Sequence, residues 1–364
     1  MEKSRIAPLD SLRFFMILNT TFCHITWIQS RGNYALGVDF FYVLSGFFIL
    51  YSINQNEDKT EALLSLHGLI NYYLYAFRRN KKIIYWYYIA IIITLPVQFY
   101  KLTLWHDVSY AIMGTVLTVI LTPTLLQAAF GLGQASHLGI DQGGFISVLF
   151  IIQMCFPSLL RAYKRQRKIS PIIKILISFI LLMVFLIIFG VIDEVSFFND
   201  LRYGSPYTRI WYFIIGMCLC EVVEKTKISS NYVVSTVFEI GIILFMIAWI
   251  ICPHFGMINV HNYYLSEAIN ILVCVLLIVI FAHQAGAISK ILSGRIFVVL
   301  GKCAMYIYLF HYFFIWIIEL GLSEELKVKY SFLWTIFVII GTGLTTYGAY
   351  AYDKRKKSTC IEQI

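Results

Sequence analysis

Two ionisable side chains in the first apolar segment are spaced so that both could act on one substrate. Arg13 and His24 lie eleven positions apart in the run that begins at Leu9. Eleven helical steps come to about 20° beyond three turns, so both side chains face one side, about 16 Å apart along the axis. A cation and an imidazole on one face of a membrane helix are costly unless they line a polar cavity. The imidazole could act as a general base, and the guanidinium could hold a negatively charged group.

Two carboxylates are candidate partners for this pair. Asp39 opens the second apolar segment and, in an antiparallel helix pair, enters the membrane near the level of His24. Because a carboxylate fixes the tautomer of a neighbouring imidazole and stabilises the imidazolium, we predict His24 and Asp39 as the catalytic pair. Asp10 lies three residues before Arg13 on the same face and could pair with it. The alternatives are a structural ion pair at the membrane edge and a His24 that only bonds a neighbouring helix.

The composition is that of an integral membrane protein. Of 364 residues, 59% are apolar and 13% are charged, whereas a soluble domain is about 25% charged. The net charge of +9 does not indicate nucleic-acid binding, because the basic residues cluster between apolar segments. The cysteines have no metal-ligand or disulfide spacing, so we expect no metal site. The fold class we predict is all-α and polytopic, with one membrane-embedded domain over residues 1–364 and no fused soluble domain.

Eleven apolar segments are long enough to span a membrane, which takes about 17–25 residues. They are 10–29, 36–54, 83–100, 106–128, 143–160, 171–192, 207–223, 232–252, 265–284, 297–320 and 331–351. The Lys- and Arg-rich loops all lie on the cytoplasmic side if one segment between 83 and 160 does not cross. Segment 106–128, which contains Pro123 and precedes a glycine-rich stretch, is the best candidate for a re-entrant or interfacial element. We predict about ten transmembrane helices in the cell membrane, with both termini cytoplasmic.

A basic cluster follows the second predicted span. In segment 55–82, an apolar and aromatic stretch precedes Arg78, Arg79 and Lys82. This order is typical of an interfacial helix at the cytoplasmic surface. The cluster could hold the phosphates of a ligand from the cytoplasm, or it could only set the topology and attract anionic lipid.

Three stretches resemble acyltransferase family 3, the polytopic membrane acyltransferases that modify sugars and other surface molecules. The first contains Leu9-Asp10-Ser11-Leu12-Arg13, the spacing from Arg13 to His24, Gly37-Val38-Asp39-Phe40-Phe41 and Leu44-Ser45-Gly46-Phe47. The second is 143–157, where Gly144 stands in place of the usual Trp. The third is 300–311, which contains Tyr308-Leu309 and His311.

The resemblance implies an activity and its substrates. It implies transfer of an acyl group from a cytoplasmic coenzyme A thioester, in the commonest family case acetyl-CoA, without a metal. Arg13, Arg78, Arg79 and Lys82 would bind this donor. The acceptor in the commonest case is a hydroxyl of a surface or exopolysaccharide sugar, a glycan or a lipid-linked precursor. Membrane lipid is an expected partner, and protein partners stay open.

Four further residues are candidate substrate contacts, each with a structural alternative. Ser45 precedes Gly46 and could instead mark close helix packing. Arg209 lies just inside a predicted span, from which it could snorkel to the interface. Tyr308 and His311 lie in the third family-like stretch, and His311 could be a packing residue in mid-membrane.

Two other functions fit the same features. A transporter that exports a small compound without chemistry would also have ten spans and charged residues on one internal face. Against it, no pair of helices broken by Gly or Pro recurs in the two halves. The other possibility is transfer of a larger acyl group, such as succinyl, or transfer to a lipid or peptidoglycan acceptor.

Overall fold

The structure is a computed structural model that describes residues 6–25, 35–131, 138, 140, 142–195, 201–226, 231–251 and 263–362. These ranges contain fourteen α-helices and no strand, which confirms the predicted all-α class. The helices are α1 (Ala7–Cys23), α2 (Ala35–Asn54), α3 (Glu57–Leu64), α4 (Leu69–Trp105), α5 (Val108–Leu121), α6 (Gly143–Arg165), α7 (Pro171–Val195), α8 (Pro206–Lys225), α9 (Tyr232–Ile251), α10 (Tyr263–Ala282), α11 (Ala287–Leu292), α12 (Arg295–Gly321), α13 (Glu324–Lys329) and α14 (Ser331–Glu362).

Ten of these helices coincide with the ten predicted spans. Eight of them, α2, α4, α6, α7, α9, α10, α12 and α14, are long and apolar enough to cross a membrane. The other two are α1 and α8, which carry Arg13 and Arg209. A helix that carries a buried charge is less apolar overall, so it needs polar partners inside the bundle. The chain is a multi-pass membrane protein, and its orientation stays a prediction.

Helix α5 is too short to cross a bilayer. Its 14 residues rise about 21 Å, whereas the hydrocarbon core is about 30 Å thick. Two 3₁₀ turns, Thr122–Thr124 and Gln127–Phe130, follow it. The hydroxyl of Tyr88, in the middle of α4, donates to the carbonyl of Pro123 at 2.8 Å. The polypeptide therefore turns beside the middle of α4, and the non-crossing path of segment 106–128 stays a prediction.

The region around the basic cluster differs from the prediction. Segment 55–82 is not a separate interfacial helix, because α4 runs without interruption from Leu69 through the basic cluster to Trp105. Its 37 residues rise about 55 Å, so nearly half of the helix extends beyond a hydrocarbon core about 30 Å thick. The break lies earlier, at Gly68, whose φ of 88° is in the left-handed region that glycine adopts without strain.

Close helix crossings bring the candidate residues together. A Cβ atom at Gly46 would collide with the carbonyl oxygen of Phe213, and one at Gly216 would collide with that of Val43. Helices α2 and α8 therefore pack backbone to backbone, as small residues permit in membrane proteins. This supports the packing interpretation of the Ser45-Gly46 pair. Gly301 likewise lets α12 approach the backbone of α1 at Asp10.

Candidate active site

The first cavity, which we call the basic cavity, has three cations in its wall. It has a volume of about 330 Å³ and lies between α1, α2, α4, α6 and α12. The cations are Arg13, Lys82 and Lys302. Other wall residues are Phe41, Leu44, Ser45, Ile83, Phe145, Leu149 and Tyr308. Three cations beside an apolar wall suit a ligand with an anionic end and an uncharged arm.

Arg13 is held by its own helix. Its guanidinium lies 3.0 Å from the carboxylate of Asp10, as the spacing predicted, and over the ring of Phe48. Arg13 is partly exposed, whereas the Asp10 side chain is buried. The ion pair therefore fixes the guanidinium at the cavity wall while one side of it stays open.

Lys82 is held by the last helix. Its amine lies 3.2 Å from Asp353 of α14. The same Asp353 oxygen accepts hydrogen bonds from Trp86 (3.1 Å) and Tyr306 (2.5 Å). Three donors on one carboxylate fix the position of α14 relative to α4 and α12, and with it the rim of the basic cavity.

The structure does not bring the whole predicted basic cluster to this cavity. Arg78 and Arg79 are exposed on α4, one turn before Lys82, and do not line its wall. Lys302, which is not among the predicted site residues, takes part instead. Its signal was a lysine inside a predicted span, which is expensive unless it lines a polar cavity.

The second cavity, which we call the histidine cavity, contains His24 and Arg209. It has a volume of about 110 Å³ and lies between α1, α2, α6, α8 and α12. Other wall residues are Thr20, Tyr42, Gln142, Gly144, Phe145, Tyr203, Tyr308 and Tyr312. The cavity therefore combines an imidazole, a guanidinium and several hydroxyl and amide groups.

Among the residues that the structure describes, Tyr312 is a hydrogen-bond partner of the His24 ring. Nδ1 of His24 and the Tyr312 hydroxyl are 2.5 Å apart. His24 follows the last turn of α1, where its backbone N–H donates to the carbonyl of Thr21. Sequence reasoning missed Tyr312, although it follows His311 directly in the third family-like stretch. A phenol in a run of aromatic residues carries no local signal of such a role.

The predicted pair of His24 and Asp39 does not form. Asp39 is fully buried. One of its oxygens accepts from Nη1 of Arg209 at 2.6 Å, and the other accepts from Asn270 at 2.9 Å. Trp249 donates in turn to Asn270 at 2.9 Å. The physical reason is that two opposite charges buried at one depth stabilise each other more than either is stabilised by a neutral ring.

Arg209 does not snorkel to the membrane surface. It is only 1% exposed, and its Nε donates to the carbonyl of Tyr203 at 2.7 Å. The carboxylate of Glu267 is 3.8 Å from its Nη1, and the rings of Tyr42, Tyr203 and Tyr212 surround it. The guanidinium is therefore fixed on several sides, with one edge in the histidine cavity.

Phe145 and Tyr308 belong to the walls of both cavities. Their ring centroids are 5.2 Å apart in an edge-to-face arrangement. The Tyr308 hydroxyl donates to the carbonyl of Gln142 at 2.9 Å, which fixes its ring. These two side chains form the partition between the basic cavity and the histidine cavity.

Two predicted contacts have mainly structural surroundings. His311 is fully buried, its Nδ1 lies 2.9 Å from the carbonyl of Tyr308, and its ring centroid is 5.8 Å from that of His24. It supports the His24 region without lining either cavity. Ser45 lines the basic cavity, but its hydroxyl donates to the carbonyl of Phe41 at 2.7 Å.

The arrangement can perform a transfer between two bound molecules. The cations can hold the anionic end of one molecule, and the imidazole can take a proton from a hydroxyl of another. A reacting group that reaches past Phe145 and Tyr308 would meet both. No significant match to a curated protein or to a solved structure was found. A family model described as an acyltransferase domain matches residues 6–354. Because this match covers nearly the whole chain, the protein belongs to acyltransferase family 3 and is a membrane acyltransferase.

Proposed function

We propose that this membrane acyltransferase moves an acetyl group from acetyl-CoA to a hydroxyl of a surface or exopolysaccharide sugar. The donor enters the basic cavity from the cytoplasm, and the acceptor hydroxyl enters the histidine cavity from the other side. The observation that carries the proposal is the shared partition of Phe145 and Tyr308. This partition lies between the cations that could hold an anionic donor and the cavity that contains His24, so one flexible thioester arm could reach both.

The charges of the basic cavity fit coenzyme A. Its phosphates are anionic, and its pantetheine arm is long, uncharged and narrow. Arg13, Lys82 and Lys302 supply cations at one wall, with apolar residues between them and the partition. In the predicted orientation, with both termini cytoplasmic, these cations lie on the side where coenzyme A is made. Exposed Arg78 and Arg79 would add to the positive potential at the entrance.

His24 acts as the general base in this proposal. For Nε2 to accept a proton, Nδ1 must carry its hydrogen and donate it to the Tyr312 oxygen. The Tyr312 oxygen lies 2.5 Å from Nδ1 and, as a hydroxyl, is able to accept this hydrogen. General-base assistance of this kind is worth about 10²–10⁴-fold in rate, and holding both reactants at the partition adds the advantage of proximity.

The small size of the histidine cavity restricts the acceptor. Its volume of about 110 Å³ is about one third of that of the basic cavity. The reacting hydroxyl and its neighbouring atoms fit this space, whereas the rest of a polymer or of a lipid-linked sugar stays outside. Recognition of the remaining acceptor therefore falls to the rim of the cavity.

The test uses sealed membrane vesicles that contain the protein, with labelled acetyl-CoA on the cytoplasmic face. We expect label in membrane-associated or lumenal glycan with the native protein, and a loss of at least about 10²-fold with His24→Ala. His67→Ala is the matched control, since His67 is exposed and lines neither cavity. Acetyl transfer that persists in His24→Ala would refute the role of His24 as the general base. Failure of the native protein to consume acetyl-CoA with any glycan acceptor would refute the donor and acceptor classes.

A further inference from the structure

We propose that Arg209 and the N-terminus of α6 form an oxyanion hole, which binds the carbonyl oxygen of the thioester in the histidine cavity. The inference deepens the proposed function and rests on it, since it assigns groups to the transition state of the same acyl transfer. It also gives Asp39 a role different from the predicted one, because Asp39 positions Arg209 and does not orient His24.

The first observation is an unused donor on Arg209. Nε donates to Tyr203 and Nη1 donates to Asp39. Nη2 is buried and has no hydrogen-bond partner among the residues that the structure describes. Arg209 lines the histidine cavity. A buried donor without an acceptor is unfavourable, so this nitrogen is expected to bind an oxygen of a ligand.

The second observation is the end of a long helix at the same cavity. Helix α6 has 23 residues, and its capping residue Gln142 makes no side-chain cap hydrogen bond. Gln142, Gly144, Phe145 and Val148, all from its first turns, line the histidine cavity. The first N–H groups of a helix have no acceptor within the helix, and the helix dipole favours negative charge there. The N–H of Gly143 already donates to the carbonyl of Ile140 at 2.7 Å. The groups in question are therefore those of Gly144 and the residues that follow it, and Gly144 adds no side chain that would cover them.

The local charge favours a carbonyl over a permanent anion. The carboxylates of Asp39 and Glu267 lie 2.6 and 3.8 Å from Nη1 of Arg209 and offset its charge. A permanent anion such as a phosphate or carboxylate would meet this negative charge throughout its binding, whereas a carbonyl oxygen becomes charged only in the transition state. Donors held in fixed positions stabilise such an oxygen most strongly when it becomes charged in the transition state.

The acceptor hydroxyl is a poorer match for Nη2. Guanidinium nitrogens donate and never accept. A hydroxyl that attacks must keep its lone pair for the new bond and give its proton to His24. A donor on that lone pair would oppose the attack. Nη2 therefore serves the electrophile, and His24 serves the nucleophile.

The step then balances as follows. The acceptor oxygen attacks the thioester carbon, a C–O bond forms, and the carbonyl electron pair moves onto its oxygen, opposite Nη2 of Arg209. His24 takes the hydroxyl proton. The carbonyl then re-forms, the C–S bond breaks with its electron pair on sulfur, and the sulfur takes the proton from His24. The products are an ester and the free thiol of coenzyme A.

The kinetic test compares Arg209→Lys and Arg209→Gln with the native protein. We expect kcat to fall about 10²–10³-fold, while KM for donor and acceptor changes little. Slow hydrolysis of acetyl-CoA without acceptor should fall in parallel, because water attacks the same carbonyl. Lys174→Gln is the matched control: it removes another buried cation, paired with Glu221, that lies outside the histidine cavity. It should lower thermal stability and leave both rates unchanged.

A second measurement does not depend on the folding of a variant. Acetonyl-CoA replaces the reactive thioester by a ketone that cannot be transferred. We expect the isotope-edited infrared band of its carbonyl to move to lower wavenumber when it binds the native protein. A band unchanged from that in water would overturn the oxyanion hole.

The outcomes separate the two proposals. Suppose that the native protein transfers the acetyl group and that Arg209→Lys keeps kcat and raises only the KM for the acceptor. This result would overturn the oxyanion hole and leave the proposed function in place. Native protein that binds neither acetyl-CoA nor acetonyl-CoA would overturn both.

Discussion

The ring of Phe145 packs edge to face against the ring of Tyr308, with centroids 5.2 Å apart, and both side chains line both cavities. The space between these rings therefore limits what can pass from the basic cavity to the histidine cavity. A flexible arm with a small acyl group suits this partition better than a bulky one.

Phe145→Ala should widen the passage and change the preference for the acyl group. We expect the ratio of kcat/KM for propionyl-CoA to that for acetyl-CoA to rise about 10-fold, since one methylene in an apolar pocket changes rates by about 10–200-fold. Competition between the two labelled donors in one assay measures this ratio. Phe156→Ala is the control, because it removes a fully buried ring that lines neither cavity. A ratio that moves equally in both variants would contradict the partition.

Removing single cations from the basic cavity should weaken donor binding. For Lys82→Met or Lys302→Met we expect KM for acetyl-CoA to rise about 3–10-fold at low salt, with less effect at high salt, because partly exposed charge pairs are weak and screened. Dephospho-CoA thioesters, which have less charge, should show a smaller change.

Lys101→Met is the control for this series, since Lys101 lies near the far end of α4, over the rings of Trp105 and Trp316. Arg79→Met should have less effect than Lys82→Met, because Arg79 does not line the cavity. A larger rise in KM with Arg79→Met than with Lys82→Met would show that the phosphates lie on the exposed face of α4.

Tyr312→Phe should impair the proposed base without disturbing the bundle. Nδ1 of His24 loses its 2.5 Å partner, so the ring populates the unproductive tautomer and orientation more often. We expect kcat to fall about 10–100-fold, with the upper limit set by the contribution of general-base catalysis. Full kcat in the variant, together with an unchanged pH profile, would mean that Tyr312 does not position His24.

Gly46→Ala should destabilise the crossing of α2 and α8. The added methyl group would meet the carbonyl oxygen of Phe213, so the helices must separate, at a cost of about 1–3 kcal/mol. A lower melting temperature in detergent or nanodiscs would show this. Gly241→Ala is the control, because no atom lies within 4 Å of the position of its Cβ. Equal melting temperatures of the two variants would contradict the close crossing.

The ten helices that coincide with the predicted spans could be predicted from the sequence, because each depends on local apolar length. The Asp10–Arg13 pair was also predictable, because two residues three positions apart lie on the same face of one helix. The continuity of α4 was also readable, because no glycine or proline separates Leu69 from its basic cluster. The predicted interfacial helix ends at this cluster, whereas charge alone does not end a helix.

The partners across helices were not predictable in this way. Asp39 and Arg209 are 170 positions apart, and only the crossing of α2 and α8 brings them together. The requirement that buried opposite charges pair could have suggested the match. The Tyr312 contact with His24 depends on how α12 packs against α1, which the spacing within either helix does not encode.

The basic cavity also has consequences for biosynthesis. Arg13 of α1 and Lys302 of α12 lie in its wall, and the third cation, Lys82, is fixed by Asp353 of α14. Membrane insertion proceeds from the N-terminus, so the early helices enter the bilayer before these later partners have been synthesised. Arg13 arrives with Asp10 already three residues away, which neutralises it within its own helix. Lys82 gains its partner Asp353 only after α14 has been synthesised. This cavity is therefore completed only at a late stage of membrane assembly.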